Sequence, residues 1–115
     1  MSLASHLGAV LCATFIAIGQ VLFKQAAIGL KTESFGLSSP ALWILAAALA
    51  VYGIATIMWV IILQNAPLGR LYPYMALSFV LVALASAAIF HESLTFGYAA
   101  GLALIVAGLA VIALA

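Results

Sequence analysis

The chain has 115 residues, of which 70% are hydrophobic and 4% charged, with a formal net charge of +1. Soluble domains carry about a quarter charged residues, so a water-exposed fold is excluded and lipid must solvate most of the surface. Three basic residues cannot neutralise a run of phosphates, which excludes nucleic-acid binding. A single cysteine excludes an intrachain disulfide.

A bilayer core takes about 20 apolar residues per helix, and four segments qualify. The first is predicted over residues 3–30, too long and too poor in basic residues at its start for a cleaved signal peptide. At about 100° per residue, His6, Ala13, Ala17, Gln20, Lys24 and Ala27 fall on one stripe of small and polar side chains. Such a stripe faces protein or a hydrated cavity rather than lipid. Gln20 lines a ligand cavity or bonds a neighbouring helix. Lys24 lines the same cavity or snorkels to the headgroups. Cys12 reads as a small packing residue.

Ser38, Ser39 and Pro40 close the first loop, and the second helix is predicted over residues 41–63. Tyr52 and Trp59 lie deep in it and either line a cavity or pack, packing being the favoured reading. Residues 63–74 read LQNAPLGRLYPY and hold the only arginine, Arg70, between Pro67 and Pro73. Proline disfavours helix in the residue before it, so Pro67 ends helix two. The third helix is predicted over residues 68–90, with Pro73 in its first turn or two, where a missing N–H costs little. The FHESL turn follows, and Glu92 is expected to cap the N-terminus of helix four. The fourth helix spans residues 95–115, with Gly97, Gly101 and Gly108 on one face. Small residues at that spacing let helix backbones approach, as a dimer seam or as packing within the chain; the seam is the favoured reading. Trp43, Tyr72, Tyr74, Phe90, Phe96 and Tyr98 sit near helix ends, where an interfacial aromatic belt is expected.

The acids are Glu33 and Glu92, both in loops, so no span carries a carboxylate with which to exchange a proton for a cation. No nucleophile–base pair, phosphate-binding glycine loop or metal motif occurs, and neither catalysis, cofactor nor metal is expected. Four spans put both termini and loop two, with Arg70, on one side; Lys24 and Lys31 lie toward the other. That bias of one charge does not fix the orientation.

Along its whole length the chain resembles the small multidrug resistance group of the drug/metabolite transporter superfamily. IGQVLFK at residues 18–24 looks like that group's first-helix Gly…Lys motif, residues 67–72 like its loop-and-helix motif, and Gly101 and Gly108 like its helix-four dimer glycines. The strings GQVLFKQA, LQNAPLGRLYP and FHESL are closer to the two small subunits that flip aminoarabinose-linked undecaprenyl phosphate. The position matching the exporters' essential glutamate is Ile16, and the exporters' third-helix glycine pair is absent around residues 75–79. The flippase subunits typically have a small residue where this chain has Arg70, which is therefore either a variant loop residue or an added phosphate contact.

The resemblance implies an all-α, four-span protein of the bacterial inner membrane. It implies an antiparallel dimer, either with itself or with a sister subunit. The expected activity is transport of a polyprenyl-phosphate-linked sugar. Lys24 and Arg70 are the phosphate partners; Gln20, Gln64, Asn65 and Tyr72 face the sugar or pin the turn, and Glu92 is a further substrate contact. The alternatives are a small-molecule exporter of the multidrug type and a non-transporting membrane partner of a larger assembly.

Overall fold

The computed structural model describes residues 2–32 and 38–115; Glu33 lies outside the described residues. All the regular structure in them is helical, and four helical segments are long and apolar enough to cross a membrane. Helix α1 is Leu3–Leu30 and α2 is Pro40–Leu63. The third span is broken: α3 (Leu68–Leu71) passes into a 3-10 turn, Tyr72–Met75, and then into α4 (Ala76–Ile89). The fourth span is α5, Phe96–Leu114.

The termini follow local chemistry. Ser2 caps α1 by accepting from the Ser5 N–H at 3.2 Å. Pro40 opens α2, where its missing N–H is no loss. The cap of α5 is Thr95, whose hydroxyl accepts from the Tyr98 N–H at 3.1 Å. Glu92 therefore does not cap that helix, because the irregular chain between Ile89 and Phe96 leaves it outside the first turn. The expected continuous third helix is also corrected. Pro73 has no N–H to give to an α-helical bond, and the backbone tightens into a 3-10 turn around it.

Within the spans, hydroxyls bond back to their own helix. Thr56 donates to the Tyr52 carbonyl at 2.8 Å, Ser78 to Met75 at 2.6 Å and Ser86 to Ala83 at 2.9 Å. In hydrocarbon no water can satisfy these groups, so they must be satisfied internally. No buried side-chain nitrogen or oxygen among the described residues lacks a partner.

The strongest packing is α1 against α2, followed by α1 against α4. The first seam repeats every seven residues. Ser5, Cys12, Gly19 and Ala26 are buried on α1, and Ala41, Ala48 and Ala55 on α2. A seven-residue repeat keeps one stripe facing a partner along a gently supercoiled pair. Small side chains let the two backbones close, so dispersion rather than hydrophobic expulsion holds the pair in lipid. The Cys12 thiol lies 3.8 Å from the Ala55 carbonyl. An extra methyl on Gly8 would meet Ile62, one repeat beyond Ala55.

The four spans form a slab with principal extents of 49 × 37 × 16 Å. Helix α5 lies at its margin, with no buried residue, and rests chiefly on α4 and the 3-10 turn.

Candidate functional site

Between α1, α2 and the third span lies a half-open cavity of about 770 Å³. Its position follows from α1, whose Gly19 stripe packs on α2 while Ala13 and Ala17 are buried farther round the helix. Gln20 projects between these two faces, about 100° from Gly19. Its amide donates to the Tyr52 hydroxyl, and the Tyr52 ring packs on Phe23 with centroids 5.2 Å apart. Tyr52, Thr56 and Trp59 form the α2 wall; Tyr72, Ser78 and Phe79 form the wall of the third span. Trp59 and Tyr72 meet edge to face at 6.4 Å. Tyr98 from α5 and Ile16 from α1 also line the cavity.

The lining therefore offers an amide, hydroxyls and aromatic faces, with no carboxylate or ammonium. A polar, uncharged or weakly cationic group can hydrogen-bond here and stack on rings. Ile16 supplies only hydrocarbon to the lining.

The sequence-predicted residues fall into three places. Gln20 and Tyr72 share the main cavity. Lys24 does not line it; its ammonium lies 3.8 Å from a Glu92 carboxylate oxygen, and both side chains are about half exposed. The pair sits at the loop-three end, where neither group is forced out of water. Gln64 and Asn65 follow the end of α2 in an exposed turn, their N–H groups bonded to the Ile61 and Ile62 carbonyls. Arg70 lies across the 3-10 turn from the main cavity, in a separate crevice with His6 and Tyr74.

One expectation changes: Tyr52 and Trp59, for which packing is the favoured reading of the sequence, both line the cavity. A signal was present: Tyr52, Thr56 and Trp59 are spaced i, i+4, i+7, beside the alanine seam of the same helix. His6 lies on the small-and-polar stripe of α1, but its meeting with Tyr74, like the placing of Ser78 and Phe79, is set by tertiary packing alone.

The glycines of α5 are exposed. A methyl added at Gly101 or Gly108 would meet nothing within 4 Å, and one at Gly97 would only just touch the Thr95 hydroxyl at 4.0 Å. Packing within the chain therefore does not account for that face.

Comparison with known proteins gives a consistent set of relatives. The chain is 36% identical over 102 residues to a probable 4-amino-4-deoxy-L-arabinose-phosphoundecaprenol flippase subunit ArnE of Erwinia tasmaniensis, covering 89% of this chain and 90% of the relative. A protein of the same description from Escherichia coli O127:H6 is 36% identical over 94 residues, 82% of this chain and 83% of that one. Another, from Escherichia coli O81, is 41% identical over 71 residues, 62% of this chain and 63% of the relative. No protein-family model and no solved structure matches the chain. Identity at that level across nearly the full length of both chains means that the protein belongs to the ArnE family of flippase subunits.

Proposed function

We propose that this chain is one subunit of a transporter that carries a polyprenyl-phosphate-linked sugar, such as an undecaprenyl-phosphate-linked aminoarabinose, across the bacterial inner membrane. The observation that carries the reading is the cavity of about 770 Å³, lined by Gln20, Tyr52, Trp59 and Tyr72 without a carboxylate. A sugar hydroxyl finds donors and acceptors there. A sugar amine finds aromatic faces, which attract cations without the cost of a second buried charge. The absence of an acid from the lining also disfavours exchange of a cationic drug for a proton.

The substrate phosphate meets Lys24 at one membrane face and Arg70 at the other. Lysine acts as a point charge, while arginine can hold two phosphate oxygens at once. In an antiparallel pair, each face would present one Lys24 and one Arg70. The partner is a second copy or a sister subunit, joined through the Gly97, Gly101 and Gly108 face. That face is exposed along α5.

The test is translocation of a fluorescent polyprenyl-phosphate sugar in proteoliposomes, with and without a co-expressed sister subunit. Gln20→Ala is expected to lower the rate roughly tenfold, the worth of one buried hydrogen bond to substrate. Lys24→Ala and Arg70→Ala should each slow transport. Full transport by both would sink the proposal that Lys24 and Arg70 meet the phosphate at the two faces.

A further inference from the structure

The 3-10 turn Tyr72–Met75 separates two cavities, and Pro73 lines both. Tyr72 lines the larger cavity and Tyr74 the smaller, of about 280 Å³. Successive residues of a 3-10 turn are about 120° apart, so residues two apart can face opposite sides of one thin wall. The smaller crevice has a polar end made by His6, Arg70 and Tyr74. Its apolar wall is formed by Val106, Leu109 and Ala113 of α5.

Arg70 makes no side-chain hydrogen bond or ion pair among the described residues, whereas Lys24 is paired with Glu92. His6 is bonded through Nδ1 to the Tyr74 hydroxyl. A neutral imidazole carries one N–H and a phenol one O–H. Their mutual bond uses one of these two protons, so whichever group donates, one donor is left for a ligand. With the guanidinium, the crevice offers a set of donors and no acid, beside a hydrocarbon wall. An anion with an apolar tail matches both halves.

Building on the proposed function, we infer that this crevice is the seat of the lipid phosphate. The phosphate lies on Arg70 and the His6–Tyr74 pair, the polyprenyl chain runs along the α5 wall, and the sugar reaches past Pro73 into the larger cavity. Recognition is thus divided between two chambers that share one residue as their partition.

Native mass spectrometry of the detergent-extracted full chain, titrated with undecaprenyl phosphate, undecaprenol or dioleoyl phosphatidylglycerol, tests the seat. Undecaprenyl phosphate should bind at least tenfold more tightly than undecaprenol, which lacks the phosphate, and more tightly than phosphatidylglycerol. Arg70→Gln should remove roughly tenfold of that affinity, the scale of a charge-assisted bond, and Arg70→Lys should restore part of it. Undecaprenol binding should not respond to either change. Equal binding of undecaprenyl phosphate to wild type and Arg70→Gln would overturn the seat, and so would equal occupancy by phosphatidylglycerol. Binding and translocation separate the two claims. A chain that still flips its substrate but shows no Arg70-dependent binding refutes the seat alone. One that shows the binding but flips nothing refutes the transport reading and leaves the seat in place.

Discussion

At the residue scale, the Gln20–Tyr52 bond ties the floor of the cavity to its wall. Because each side chain satisfies the other, their removal should not be additive. Gln20→Ala and Tyr52→Phe, singly and together, should show a coupling of about 1 kcal/mol in thermal unfolding in detergent, near the upper range for interhelical bonds in membranes. A coupling near zero would mean that the bond adds nothing to folding. His91 is a second local device. Its backbone is left-handed, with φ 55°, and this allows the Glu92 N–H to return to the Ser86 carbonyl at 3.1 Å. Histidine tolerates that conformation better than a branched residue does. His91→Val should therefore lower stability by about 1–2 kcal/mol, and His91→Gly should not; chemical denaturation in detergent checks the order. Gln20 was legible from sequence because an amide deep in an apolar span needs a partner. Its link to Tyr52 was not legible, since the register of α1 against α2 is a tertiary property. The split between Lys24 and Arg70 followed from counting spans, but the pairing of Lys24 with Glu92 depended on the path of the loop between α4 and α5.

At the scale of elements, two sets of small residues do different work. The stripe on α1 closes on α2, and Gly19 is its tightest point, because an added methyl would overlap the Tyr52 ring. That ring is tied to Gln20 through its hydroxyl and packs on Phe23, which limits its room to yield. Gly19→Ala should distort the cavity and lower transport at least tenfold, with a smaller effect on expression of the protein; Gly53→Ala, whose added methyl meets nothing within 4 Å, is the matched control. Equal transport by the two variants would mean that the Gly19 contact does not shape the cavity. The existence of four spans was readable from hydropathy, because lipid demands long apolar helices with satisfied backbones. The break in the third span was only half readable. Pro73 announced a missing donor, but not whether the chain would kink, tighten or begin a fresh helix. The resulting 3-10 turn is what sends Tyr72 and Tyr74 into different cavities.

For the whole molecule, the question is what covers α5. It has no buried residue, and apolar side chains such as Leu104, at 74% exposure, and Val111, at 67%, stand outside the slab. Exposure to lipid costs these side chains nothing, so it does not by itself demand a partner. The glycines make a narrower argument. Glycine lowers helix stability by about 1 kcal/mol relative to alanine in an exposed position, and Gly101 and Gly108 have nothing within 4 Å to reward it. A second backbone approaching that face would supply the missing contacts, and the relatives are described as subunits. Gly101→Leu and Gly108→Leu should thus leave helix content and single-chain stability unchanged or slightly raised. Native mass spectrometry should show the two-chain complex, whether with a second copy or a co-expressed sister subunit, giving way to single chains, and transport should be lost with it. If the complex persists at wild-type abundance, the glycine face is not the seam, and the chains must meet through another surface of the slab.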